Sequence, residues 1–142
     1  MKFTDKDHRD FYELMLSEHK NDGYHRSLFY LLGMLPDTRQ HLNDLYNNRD
    51  DEIRFGGLHK AWQTGGSIRV TRLAFNLFNG YDGYDGDKQD EPASLYTPDA
   101  IFDSYLSEYF LEACRLRYDY TPQFERHVAY EEPDESEEPE WE

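Results

Sequence analysis

Apolar positions along this chain recur at three- and four-residue intervals and hardly anywhere alternate, a pattern that predicts helices and no extended sheet. Phe11, Leu14 and Met15, with Glu18 in the same series, follow helical spacing from an opening at Thr4 to about Lys20, and Asp5 and Asp7 fall in the first turn, where the helix dipole favours carboxylates. Asn21-Asp22-Gly23 is a stop with turn chemistry. Leu28, Leu31, Leu32 and Leu35 mark a second helix over 24–35, apolar around most of its circumference and therefore buried. Pro36-Asp37-Thr38 breaks it and caps a third helix to about Tyr46, with Leu42 and Leu45 inward. From Asn47 to Gly66 the pattern lapses, apart from one helical turn expected over 58–62. Ser67 then caps a fourth helix that Gly80 ends. Thr97-Pro98-Asp99 opens a fifth, with Pro at the first position where its missing N–H costs nothing. Ile101, Tyr105, Tyr109 and Ala113, with Phe102, Leu106, Phe110 and Leu116 beside them, carry that helix to about Tyr118. The expected fold is all-α: one compact domain of about five helices over 1–122 and an acidic tail over 123–142, disordered from Glu131.

Charge changes this picture most. The run Glu131–Glu142 holds eight carboxylates and no base, and the stretch Asp82–Glu91 holds five against Lys88. Together they account for −12 of the formal −15, so the remaining chain is close to neutral. A polyanion of this kind fits a basic protein partner and disfavours direct binding of nucleic acid, whose phosphates call for Lys and Arg. Hydrophobic content is only 37%, but 16% of the residues are aromatic, and such side chains fill a core in few positions. One cysteine, Cys114, excludes an intrachain disulfide and a cysteine-based zinc site, as a reducing cytosol would allow. The N-terminal Lys-Phe-Thr-Asp-Lys-Asp has no leader pattern, and no window approaches the roughly 18 apolar residues of a membrane span. A cytoplasmic protein that does not enter membranes is expected.

Candidate chemistry is sparse. On the fourth helix Arg69, Arg72, Asn76 and Asn79 form a single polar stripe between apolar faces, behind the approach Gly65-Gly66-Ser67. Three readings stay open: a solvated stripe, an internal pairing with the acidic stretches, or an anion site at a helix start. Six histidines show no metal-ligand spacing, so no metal and no cofactor is expected. Asp82-Gly-Tyr-Asp85-Gly-Asp87 resembles a calcium loop only superficially, because Asp90 falls where the sharp turn needs glycine. The plainer reading of that stretch is a flexible, solvated connector. Cys114 lies on a core-facing helix and reads as a small buried side chain.

The runs Asn21-Asp-Gly-Tyr-His-Arg26, Leu28-Phe-Tyr30, Trp62-Gln-Thr-Gly-Gly66, Arg69-Val-Thr-Arg-Leu-Ala-Phe-Asn-Leu-Phe-Asn-Gly80, Tyr96-Thr-Pro98 and Leu116-Arg-Tyr118 resemble a family of small uncharacterised proteins of low-GC Gram-positive bacteria and their mobile elements. The resemblance extends from Asn21 to Tyr118 and implies kinship and genomic setting, with no activity to carry over. Its polar residues, His25, Arg26, Tyr30, Trp62, Gln63, Arg69, Arg72 and Asn76, are expected to share a buried network or line a pocket if the second and fourth helices pack.

These observations favour a non-enzymatic acidic binding protein. Its partner surface is expected to comprise Tyr81, Asp82, Tyr84, Asp85, Asp87, Asp90, Glu91 and Trp141, facing a basic nucleic-acid-binding protein such as a nuclease. Given the mobile-element setting, the concrete form is an inhibitor of bacterial defence, of the anti-CRISPR or antirestriction type, acting by nucleic-acid mimicry. Two alternatives stand beside it: an enzyme or sensor of an anionic ligand at Arg69/Arg72, and a structural accessory protein. A homodimer is compatible with all three.

Overall fold

The computed structural model describes residues 1–119. Seven α-helices are present among them: α1 (Lys6–Ser17), α2 (Gly23–Leu32), α3 (Pro36–Gln40), α4 (Leu42–Leu45), α5 (Gly65–Asn79), α6 (Pro98–Phe102) and α7 (Ser107–Arg117). Two-residue strands pair antiparallel as β1 (Tyr46–Asn47) with β2 (Glu52–Ile53), and β3 (Tyr84–Asp85) with β4 (Lys88–Gln89). Short 3-10 turns occupy Phe55–His59 and Ala93–Tyr96. The tail expected over 123–142, with Trp141, lies outside the described residues.

The expected buried helix is the centre of the molecule. Leu28, Phe29, Tyr30, Leu31 and Leu32 are fully buried, and α1, α5 and α7 all pack on α2. A helix apolar over most of its circumference needs such a cage, and α2 keeps only its first turn, with Tyr24 and Arg26, toward the surface. Asp22 caps it, accepting from the backbone N–H of His25.

Several boundaries differ from the pattern-based expectation, each for a local reason. Asp5, not Thr4, caps α1 by accepting from His8 N–H, while the Thr4 hydroxyl donates to the Met34 carbonyl. The expected third helix is two short ones, and Thr38 lies buried within the first of them, donating to Leu35. Helix α5 starts earlier than Ser67: Thr64 is the cap, and Thr64 and Ser67 exchange side-chain and backbone hydrogen bonds in a reciprocal box. Gly80 ends α5 in the left-handed conformation, as expected. The long last helix is broken after Phe102, where the Ser104 hydroxyl accepts from Leu106 N–H and turns the chain.

Candidate functional site

The acidic stretch after α5 is a hairpin with locked flanks. Strands β3 and β4 put Asp85 opposite Lys88 and Tyr84 opposite Gln89, leaving Gly86-Asp87 as a two-residue turn. Gly86 has φ +61, and Asp87 is not among the non-glycine residues of positive φ, the combination of the primed hairpin turn with glycine first. Gly83 has φ +103, and its carbonyl accepts from the N–H groups of both Asp90 (2.7 Å) and Glu91 (3.0 Å). A Cβ on Gly83 would lie 2.2 Å from the Glu91 carbonyl oxygen, so the two flanks close only over a glycine.

Below this closure lies a buried polar cluster. The Arg72 guanidinium donates to Glu91 through Nη2 (2.7 Å) and Nε (3.2 Å). Tyr96 donates its hydroxyl hydrogen to the other Glu91 oxygen. Tyr81 stacks on Phe55 at 4.4 Å and donates to Asp90, whose carboxylate also faces His59 Nε2 at 2.9 Å. The hydrogen bond from His59 holds the Asp90 carboxyl below the usual carboxylate range. Burial, reinforced by the neighbouring carboxylates Asp90 and Glu91, drives the phenol pKa values of Tyr81 and Tyr96 well above normal. Both tyrosines are therefore neutral donors.

This arrangement divides the residues expected on the partner surface. Asp82, Tyr84, Asp85 and Asp87 are exposed. Tyr81 and Glu91 are buried, and Asp90 is half-buried and paired, so these three are anchors of the hairpin and not part of its face. The stretch is also not the free connector its glycine-rich composition implied: it is built outward from the core. Of the three readings of the Arg72 stripe, internal pairing with an acidic stretch describes its geometry.

The residues expected to share one polar network are distributed over separate clusters. Trp62 Nε1 donates to Asp44 (2.9 Å), and its ring stacks on His41 at 4.4 Å. Gln63 accepts from the Ser67 hydroxyl and donates to Gly57 O and Thr71 Oγ1 at the start of α5. Asn76 donates to the Tyr81 carbonyl, which ties the end of α5 to the hairpin base. Arg26 donates to Asn21 Oδ1 (3.0 Å) and Leu116 O (3.4 Å), joining the start of α2 to α7. Tyr30 lies at the far side, donating its hydroxyl to Lys2 O while its carbonyl faces His8 Nε2 at 2.6 Å. Arg69 donates to the carbonyls of Ala100 and Gly65 beside an open cleft of about 300 Å³, which it shares with Arg72, Asp99 and Asp103. The mixed charge of that cleft is poorly suited to a multiply charged anion.

His25 heads the most polar of these clusters. Its Nδ1 is 2.8 Å from Asp22 Oδ1 and its Nε2 is 2.8 Å from Asp51 Oδ2. Two carboxylates on opposite ring nitrogens require both to donate, which is the imidazolium form. Burial opposes that charge, but the hydrogen bonds to Asp22 and Asp51 outweigh it and raise the His25 pKa. Asp51 also accepts from the Tyr46 hydroxyl at 2.6 Å and sits at φ +54, a left-handed conformation that Asp tolerates better than most residues. Asp51, Tyr46, Asp44 and His59 are not among the site residues expected from the sequence. Asp22, directly before a helix, carries a capping signal; Asp51, Asp44 and His59 meet His25, Trp62 and Asp90 across the fold and leave no local one, and Tyr46 enters only as a neighbour of Asp51 in the β1–β2 hairpin.

A small, mostly helical single domain with an anchored acidic hairpin is the class that fold and site define. The chain belongs to a family of unknown function, DUF6075, whose model matches residues 1–130. No curated protein and no solved structure matches it. Among the described residues no helix is long and apolar enough to cross a membrane, and no cluster of three or more His, Cys, Asp or Glu has the placement of a metal site.

Proposed function

We propose that this protein is a non-enzymatic binding protein whose acidic hairpin docks on a basic, nucleic-acid-handling protein. The observation that carries the reading is the contrast between the hairpin's face and its base. Asp82, Asp85 and Asp87, with Tyr84 among them, stand in solvent, whereas Tyr81, Gly83 and Glu91 are locked into the core. A surface ordered before binding loses less conformational freedom on docking. Exposed like charges steer a cationic partner and repel nucleic acid itself.

The internal chemistry supports binding over catalysis. Burial raises the Cys114 pKa and keeps it a thiol, His25 has both nitrogens engaged, and every buried side-chain polar atom among the described residues has a hydrogen-bond partner. The anionic-ligand alternative at Arg69/Arg72 is weakened by Glu91, which neutralises Arg72, and by Asp99 and Asp103 beside Arg69. The specific form of the proposal is inhibition of a bacterial defence nuclease, CRISPR-associated or restriction, by imitation of its nucleic acid. That form rests on the charge and on the resemblance to mobile-element proteins of low-GC Gram-positive bacteria.

The test is affinity capture at low salt from a host that carries such systems, using the intact chain and a D82N/D85N/D87N variant as parallel baits. A basic nucleic-acid-binding protein retained by the first and lost by the second is the expected result. Equal retention by both baits contradicts the proposal.

A further inference from the structure

Beside the hairpin base lies an open groove of about 410 Å³, lined by Asp51, Glu52, Ile53, Phe55, Phe78 and Asn79. Its size falls within the roughly 300–1,000 Å³ of small-ligand sites. Two carboxylates and two phenylalanines line it, with no Lys or Arg. The Asp51 carboxylate is fixed by His25 and Tyr46, and the His25 imidazolium, shared with Asp22, offsets part of its charge. Glu52 is exposed, and among the described residues its carboxylate makes no ion pair or side-chain hydrogen bond. The far wall is the last turn of α5, where Arg117 Nε already donates to the Leu77 carbonyl at 2.9 Å.

We infer that this groove receives an arginine side chain of the basic partner, so that the docking surface extends from the hairpin to the end of α5. The inference rests on the binding role proposed above and adds to it a specific socket. The unpaired Glu52 carboxylate selects a cation, and the aromatic lining selects a flat, weakly hydrated one, because guanidinium groups lie on aromatic faces more readily than ammonium groups do. Continuity with the hairpin is direct. Phe55 stacks on Tyr81, and the Asn79 side-chain oxygen accepts from the Tyr81 N–H at 3.0 Å. A partner seated on Asp82 and Tyr84 therefore has the groove within reach of a neighbouring side chain.

The probe is N-acetyl-argininamide, titrated into the isotope-labelled full chain and followed by amide NMR shifts. Saturating shifts over 51–55 and 78–80 are expected, together with weaker binding by more than about tenfold in Glu52→Lys, where a like charge faces the ligand. The D82N/D85N/D87N variant should keep those shifts within about twofold, since only the groove holds a single guanidinium. Equal shifts from the uncharged N-acetyl-citrullinamide would overturn the inference, as would none at all, or an unchanged response in a folded Glu52→Lys protein. Loss of the shifts in the hairpin variant would also overturn it, by showing that the probe follows the hairpin's general field, and would leave the hairpin proposal standing. Failure of the hairpin in affinity capture with the groove shifts intact would separate the two in the other direction.

Discussion

Glu91 accepts two hydrogen bonds from Arg72 in a pair whose side chains are only 7% and 14% exposed, and the contact joins the middle of α5 to the far flank of the acidic hairpin. Removing one partner of a buried ion pair leaves the other charged and unsolvated, which typically costs about 3–5 kcal/mol, against about 0.5 or less for an exposed change. Arg72→Ala should therefore lower the unfolding free energy by at least about 3 kcal/mol in urea denaturation. Arg72→Met combined with Glu91→Met should recover most of that loss, since apolar replacement of a whole buried pair is often neutral. An Arg72→Ala protein with a wild-type denaturation midpoint would show that the pair does not hold the hairpin.

The two hairpin glycines should differ sharply. Gly86, at φ +61 with open space where a Cβ would go, should lose about 1–2 kcal/mol on change to alanine, the ordinary cost of a left-handed residue. Gly83→Ala adds a collision with the Glu91 carbonyl to its strain at φ +103, and should cost more than about 3 kcal/mol. Thermal denaturation of both variants checks the order. Equal losses would mean that the flanks are not closed on each other.

Two histidines should titrate in opposite directions from the ordinary value of 6.5. Burial lowers the pKa of His8, whose Nδ1 accepts from Thr4 N–H while Nε2 faces the Tyr30 carbonyl, so its native form is neutral. The stability it contributes is full above about 6.5 and is lost as pH falls through its depressed value. His25 is raised, so its contribution is full below about 6.5 and is lost as pH rises through its elevated value. Ring-proton NMR should place the two midpoints on either side of 6.5, and Asp51→Asn should move the His25 midpoint down. Coincident midpoints would contradict the imidazolium clamp.

Much of the helical framework was legible because its signals are local. Gly80 as a stop, Thr97-Pro98 as a start and the all-apolar second helix each depend on residues within a turn of one another. Gly65 and Gly66 were misleading: their low helix propensity reads as loop, yet in the first turn the reciprocal Thr64–Ser67 bonds hold them helical. The break after Phe102 was hidden because apolar spacing continues across it. The site was legible as charge and hidden as geometry. Carboxylates at Asp82–Glu91 all look alike in a sequence; whether one faces solvent, as Asp85 does, or an arginine nineteen positions earlier, as Glu91 does, is decided by packing. The His25–Asp51 contact, between residues twenty-six positions apart, is equally without local signature.

The central claim is that the exposed carboxylates of the anchored hairpin carry recognition, and a salt titration of binding tests it most directly. With the captured partner purified, its affinity for the intact chain, for a chain ending at Tyr130 and for D82N/D85N/D87N is measured from about 50 to 500 mM salt, a range over which the screening length falls from roughly 14 to 4 Å. The predicted result is tight binding at low salt that weakens steeply for the intact chain, with a much weaker and flatter response in the hairpin variant. Affinity that is unchanged by the three substitutions at every salt concentration would contradict the claim.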